Sequence, residues 1–271
     1  MSFELRRLPP GVQELFAPYR ALIGESPLRV PPAPPAIDAL LARRRPRTAE
    51  GRMLQVAGAG NDSALDYERR IRGAGALATR PGCWHDYFNA LVWCVFPASK
   101  AVINQRHCEA AGGDRERGAV RDALTQFDEC GALVVSSDPD LLDGLRGHRW
   151  EAVLWRQREH FMRHCRVLIV GHATLDALRR PFSGLCAKAL YRQVPSHWLS
   201  ADPVQRVCEA DAWLADWLEG RGDMLTPRAF APLPLLGLPQ VTPDNACADY
   251  YRDSAQFRPR RAPGLGGLRC S

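Results

Sequence analysis

Two short runs carry the side chains most able to do chemistry: His85, Asp86 and Asn89, then Lys100, Asn104 and His107. Imidazoles beside a carboxylate can hold a divalent ion, commonly zinc at about 2.0 to 2.2 Å, or move protons near neutral pH without a metal. A lysine disfavours a metal directly against it, because two cations repel. Lys100 is therefore expected to hold an anionic substrate group or to pair with Asp86 or Asp122. His172 joins the set because it follows the apolar run RVLIVG at 166–171, where a strand hands over to a helix and side chains commonly line sites. The candidate catalytic residues are His85, Asp86, His107 and His172, and the candidate substrate-binding residues are Asn89, Lys100, Asn104, Asp122 and Thr125. These residues do not name a cofactor; a divalent metal such as Zn is the one they could take.

The elements that must position these groups are helical. At about 100° per residue, Trp84, Phe88, Leu91 and Val95 form one stripe, while Tyr87, Val92, Trp93, Cys94 and Phe96 cover most of the remaining circumference. A helix apolar on nearly all sides is buried, so His85, Asp86 and Asn89 are expected inside, where an unpartnered polar group costs about 1 to 3 kcal/mol. Pro97 suits the first turn of a second helix, on which Lys100, Asn104 and His107 fall within about 60° of one another, opposite Gln105, Arg106 and Glu109. A third helix over 119–129 has Val120, Leu124 and Phe127 as its core stripe. Asp122, Thr125 and Glu129 share its other side, either as a solvated face or as an acidic wall turned toward the site. Buried histidine and lysine call for carboxylates close in sequence, and this helix supplies the nearest. The six inner groups read either as one pocket or as a satisfied buried hydrogen-bond network that fixes helix packing.

The run Thr79-Arg80, Trp84-His85-Asp86, Phe88-Asn89-Ala90-Leu91, Phe96-Pro97, Lys100, Asn104, His107 resembles the signature of an uncharacterised bacterial family, domain of unknown function 3025. The likeness continues through Arg121 to Thr125, Phe127-Asp128-Glu129, Gly171-His172-Ala173 and Tyr251 to Pro259, and it takes in Tyr67 and Glu68. The family commonly places asparagine where this chain has Cys83 and Cys130, which implies that those thiols are not essential. It brings no activity with it; what it implies is which residues form a set. Glu68 fits that set as a group supporting the site from behind.

Composition narrows the rest. The chain of 271 residues is 46% hydrophobic and 24% charged, which suits a protein with a sizeable core. Its formal charge is +6, yet only Lys100 and Lys188 are lysine among 36 basic residues, a bias toward arginine more than a nucleic-acid footprint. The arginine clusters at 43–47 and 258–261 lack interleaved aromatic pairs and read as solvated, so nucleic acid is not an expected partner and a small anionic ligand is. Nine scattered cysteines without a C-x-x-C pair imply reduced thiols. With no secretory signal and no run near the roughly 18 apolar residues a bilayer requires, no membrane partner is expected and a cytoplasmic location is.

Further along, GALVVSS at 131–137 reads as a buried strand, Asp138-Pro139 as the start of a helix to Arg146, and 150–164 as one continuous helix. His160 and His164 stand four apart on it, but Glu159 precedes the first histidine, against the metalloprotease pattern. Leu185 to Tyr191 reads as a short apolar helix, and 203–219 as an amphipathic helix with Val204, Val207, Cys208, Trp213 and Leu214 inward. Residues 53–58 are a short strand candidate, 65–71 a brief helix or strand and 112–118 a loop. The proline-rich arms over 1–48 and 226–271 are expected to wrap a core of 49–225 in extended form, with a glycine-rich tail.

The fold class is α+β: one mainly helical domain with a small sheet. No G-x-G-x-x-G, Walker loop or G-x-S-x-G elbow is present, and no histidine precedes His85 as the His-Asp phosphohydrolases require. Two functions remain: a hydrolase, metal-dependent or not, acting on a phosphoester or similar anionic substrate, and a non-enzymatic binding protein whose polar cluster is structural. Oligomeric state is not legible.

Overall fold

The computed structural model describes residues 3–110 and 115–259. The chain begins with short helices α1 (Pro10–Leu15), α2 (Arg20–Ile23) and α3 (Pro34–Arg44), then strand β1 (Gln55–Ala57), helix α4 (Ala64–Ala74) and strand β2 (Ala76–Ala78), which pairs parallel with β1. Next come α5 (Trp84–Val95), α6 (Pro97–Glu109), α7 (Arg115–Cys130), β3 (Gly131–Ser136) and α8 (Pro139–Arg146). The chain continues through α9 (Arg158–His164), β4 (Cys165–Ile169), α10 (His172–Leu178), β5 (Cys186–Gln193), α11 (Ser196–Ser200), α12 (Pro203–Gly220) and β6 (Ala231–Pro234). The larger sheet runs β4-β3-β5-β6, with β3 parallel to β5 and the outer pairs antiparallel. All six residues of β3 are buried, as its unbroken apolar run requires of a central strand covered by helices on its faces. The result is a mainly helical α+β domain with small sheets.

Helix starts follow local chemistry. Ser63 caps α4 by accepting from the Asp66 N–H, Asp138 caps α8 through Asp140 N–H at 2.8 Å, and Asp202 caps α12 through Val204 and Gln205 N–H groups. Helix α6 has no cap of its own. Asp211, buried on α12, reaches across and accepts from the Ala98 N–H at 2.9 Å, the Ser99 N–H at 2.8 Å and the Ser99 hydroxyl at 2.6 Å. A carboxylate from a distant helix thus satisfies the first turn of α6 and sets where that helix begins.

The structure departs from the sequence reading in six places. Cys186–Gln193 is a strand and not a helix: alanine, leucine and lysine favour helix intrinsically, but pairing with β3 on one side and β6 on the other overrides that preference. The N-terminal stretch is not an extended surface arm, because prolines at helix starts leave α1 and α3 intact and Val12, Leu15, Phe16, Tyr19, Ile37 and Leu41 enter the core. Residues 231–234, expected to wrap the core as an extended arm, instead join the sheet as the edge strand β6, whose Pro232 and Pro234 are tolerable at an edge because one side need not donate. The expected helix over 150–164 is a π-helical turn at Glu151–Arg156 that breaks at Gln157 before α9. Helix α12 buries Ala210, Asp211, Leu214, Ala215 and Leu218, while Val204 is exposed at 69%, so its inward stripe is rotated from the expected one. Helix α7 begins at Arg115, inside the expected loop; the rest of that loop at 112–114, and the expected tail beyond residue 259, lie outside the described residues.

Replacing Asp211 by alanine removes the cap and strands the buried Ser99 N–H and the part-buried Ala98 N–H, while the Ser99 hydroxyl keeps its bond to the residue 211 carbonyl. We expect Asp211→Ala to cost about 2 to 3 kcal/mol in urea denaturation, and a change below about 0.5 kcal/mol would show that α6 does not depend on this carboxylate.

Candidate metal centre and its cleft

The ten residues Asp86 to Val95 of α5 are all buried, and Lys100, Asn104 and His107 lie on the buried side of α6. These helices, with α4, α7 and the start of α10, surround a cavity of about 590 Å³ lined by Tyr67, Glu68, Arg80, His85, Asp86, Asn89, His107, Arg121, Thr125, Asp128, Glu129 and His172 among others. The side chains of His85 and Glu129 are each 36% exposed, so the cavity is a cleft open to solvent.

The backbone makes one very close approach at its floor. A Cβ on Gly171 would lie 2.4 Å from the Glu129 carbonyl oxygen and from the Gly131 nitrogen, and Gly171 N–H donates to the Gly131 carbonyl at 2.8 Å. Glycine at 171 is what lets the end of β4 sit on the junction between α7 and β3. Through that contact His172, at the start of α10, is delivered to Glu129.

His85 and His172 turn their Nε2 atoms toward each other at 3.1 Å, and the Glu129 carboxylate oxygens lie 3.8 Å from His85 Nε2 and 3.6 Å from His172 Nε2. This is the one set of three among the described residues whose nitrogen and oxygen ligand atoms all fall within 4.8 Å of one another. Behind it, His172 Nδ1 faces Asp128 Oδ2 at 3.7 Å, longer than a hydrogen bond. A proton on Nδ1 leaves the Nε2 lone pair pointing into the cleft, the tautomer a metal ligand needs.

Asp128 in turn accepts from Lys100 Nζ at 2.5 Å, with Lys100 buried and Asp128 part-buried. Burial pushes Asp128 upward, but the Lys100 charge, then His172 and the Lys100 hydrogen bond, more than offset it and hold the carboxyl below its ordinary value. Burial also dominates the other groups. It lowers His172 to about 3 and His107 to about 4, in each case against the pull of Asp128, and it raises Glu129. Both histidines are therefore neutral at pH 7. Glu68 is lifted to about 7 by burial and by Asp128, opposed by a hydrogen bond from Asn104, then Lys100 and Arg121.

The remaining candidates divide. Asn89 Nδ2 donates to the Tyr67 hydroxyl at 2.9 Å, and both residues line the cleft. Asp86 is taken by Arg80, whose N–H, Nε and Nη2 reach it at 2.7, 2.9 and 2.7 Å. The pair fixes the guanidinium at the cleft wall and leaves Nη1 free of Asp86. Asn104 lies behind the lining and binds the Glu68 carboxylate at 2.6 Å. Lys100 pairs with neither Asp86 nor Asp122, since Asp128 holds it. Asp122 is exposed and does not line the cleft, although Thr125 and Glu129 from the same expected wall do. Asp122 lies about 160° around the helix axis from Leu124, whereas Asp128, four residues beyond Leu124, falls on the buried stripe. His160 and His164 lie elsewhere: His160 Nε2 meets Asp138 at 2.6 Å and His164 Nδ1 meets Ser137 at 3.2 Å.

Sequence reasoning left Arg80, Arg121 and Asp128 out of the candidate site and took Glu129 only as one side of an uncertain wall. A signal for Asp128 was available, since a carboxylate on an apolar helix stripe needs a cation and Lys100 is one of only two lysines. Arg80 and Arg121 stand in the family-like signature, but in a chain so rich in arginine nothing in their own spacing singled them out for the site.

A family profile described as Protein of unknown function (DUF3025) matches residues 55–261, and the chain belongs to that family. Comparison with curated proteins gave no match, and comparison with solved structures gave none. No helix among the described residues is long and apolar enough to cross a membrane.

The neutral buried histidines make acid sensitivity predictable. The folded pKa of His107, about 4, lies below that of an unfolded imidazole at about 6.5, so in this window the unfolded chain binds a proton that the folded chain refuses and stability falls with pH. His172 adds to this loss. Glu68 opposes it, since with a folded pKa of about 7 it favours the folded state below that pH. His107→Gln is expected to lose less stability than the wild type between about pH 6.5 and 4 in urea denaturation, and equal losses would count against a neutral, buried His107.

Proposed function

We propose that this family member is a metal-dependent hydrolase in which His85, Glu129 and His172 hold a divalent ion, commonly zinc, and an anionic ester such as a phosphoester binds beside it. The observation carrying this reading is the facing of two imidazole Nε2 atoms at 3.1 Å with the Glu129 carboxylate beside them, at the wall of an open cleft. Two histidines and one glutamate are a donor set that catalytic zinc uses, with a position left for water. Zinc held there would lower the pKa of its bound water to about 7 and polarise the substrate oxygen. Asp128 would hold His172 in the ligand tautomer, and Lys100 would keep Asp128 ionised. Arg80 and Arg121, the arginines of the lining, would neutralise the substrate anion, with Arg80 aimed by Asp86.

The competing reading is a structural network in a non-enzymatic binding protein. In its favour, Asp86, Lys100 and Asn104 are satisfied by other side chains of the protein. Against it stands the solvent exposure of His85 and Glu129, which a sealed network would not need.

Elemental analysis and metal titration of the purified protein decide between these readings. About one equivalent of zinc is expected, lost in His85→Ala and His172→Ala, with Asp128→Asn weakening metal affinity about 10- to 100-fold. Release of phosphate from simple phosphoesters should stop on chelation and return with zinc. Failure to bind any divalent metal would leave the structural network as the explanation, while bound iron would point to oxygen chemistry, because the same donor set serves Fe(II) oxygenases.

A further inference from the structure

Five carboxylates line the cleft: Asp62, Glu68, Asp86, Asp128 and Glu129. Four are already engaged, Asp62 by Arg70 at 2.8 Å, Asp86 by Arg80, Asp128 by Lys100, and Glu129 by the two histidines. Glu68 alone has no cationic side chain within ion-pair distance among the described residues. It is nevertheless held in place, because Asn104 Nδ2 donates both to its Oε2 at 2.6 Å and to its backbone carbonyl at 2.9 Å. That clamp occupies one carboxyl oxygen and leaves Oε1 without a hydrogen-bond partner among the described residues. A positioned carboxyl with one oxygen uncommitted and no counter-ion, in a cleft with two arginines, is arranged to carry a proton and not a charge.

Resting on the hydrolase reading above, we infer that Glu68 is the general acid of the cleft and gives its carboxyl proton to the oxygen that leaves the anionic ester. In the balanced step, a water oxygen forms the new bond to phosphorus. The bond to the leaving oxygen breaks, its electron pair stays on that oxygen, and the Glu68 proton joins it to yield an alcohol. The attacking water gives up a proton that returns through solvent to the Glu68 carboxylate, so no other reactant is consumed.

The electrostatic surroundings agree. Facing Glu68 are Asp128 and Arg121 from α7, Lys100 and Cys108 from α6, and Tyr67 from its own helix. Burial and Asp128 outweigh the two cations, and the carboxyl rests at about 7, where an acid both holds its proton and can part with it. A dianion bound in the cleft would raise it further, so anion binding must draw in a proton.

Sulfate, a tetrahedral dianion that does not itself titrate near neutrality, tests this on the zinc-loaded full-length protein without requiring turnover. Calorimetry in buffers of different ionisation enthalpy is expected to show uptake of about one proton per sulfate from Glu68 at pH 8, beside any taken up by zinc-bound hydroxide, falling toward zero near pH 6. In Glu68→Gln, sulfate should still bind, with uptake at pH 8 lower by about one proton, whatever share zinc-bound hydroxide takes up. Asn104→Ala, which loses the bond favouring the charged carboxylate, should shift the uptake curve to higher pH and covers the case in which the first variant does not fold. Sulfate binding with uptake unchanged in Glu68→Gln, or an unshifted curve in Asn104→Ala, would overturn the role of Glu68 and leave the hydrolase reading intact. No sulfate binding by the zinc-loaded protein would instead remove the anion site of that reading, and this inference with it.

Discussion

The buried contact between Lys100 and Asp128, at 2.5 Å, sets the electrostatics of the cleft. Two opposite charges taken out of water are each expensive, and only their mutual attraction and further hydrogen bonds make the burial tolerable. Once paired, they act on everything near them. Asp128 pulls His107 and His172 upward against burial while pushing Glu68 and Glu129 toward protonation, and Lys100 works in the opposite sense on each. Burial outweighs both charges at the imidazoles, which stay neutral, and burial together with Asp128 poises Glu68 near 7.

That field is useful only because the backbone brings distant segments to the same place. His85 enters from the first turn of α5, Glu129 from the last turn of α7 and His172 from the first turn of α10, so the three come from positions far apart in sequence. Their meeting depends on β4 pairing with β3 and on Gly171 resting against the α7–β3 junction, where a side chain would collide with backbone. The trans cap from Asp211 does comparable work for Lys100, Asn104 and His107, since it fixes the start of the helix that carries them. Sites assembled at element ends in this way combine rigid support with access to solvent.

The arrangement also separates roles that a string of polar residues cannot distinguish. Asp86 and Asp128 are both aspartates of the cleft lining, yet one aims an arginine at the cleft wall and the other stands behind a histidine. Glu68 and Glu129 both line the cavity, but only Glu129 meets the imidazoles, while Glu68 is clamped by Asn104 and keeps an uncommitted oxygen. Identical chemistry acquires different function through its partner, because a neighbour within a few ångströms shifts a pKa or claims a lone pair where composition cannot.

Local pattern was enough to place the two helices of 84–109, the buried strand at 131–136 and the inward facing of His107, Lys100 and Asn104, because hydrophobic periodicity depends only on nearby residues. It also marked His172 at a strand-to-helix junction. It failed where non-local pairing overrides propensity, as in the helix-favouring Cys186–Gln193 that becomes a strand between β3 and β6, and where prolines read as extended in fact start helices. It could not choose Asp128 over Asp122, nor give Arg80 and Arg121 a place in the cleft, because those roles depend on which groups stand across a few ångströms of space. Sequence alone pointed to Asp86, Asn89, Lys100, Asn104 and His107 as buried polar groups but missed Arg106 and Asp211; tertiary structure decided which of them meet, since a partner for a buried charge comes from whatever element packs against it.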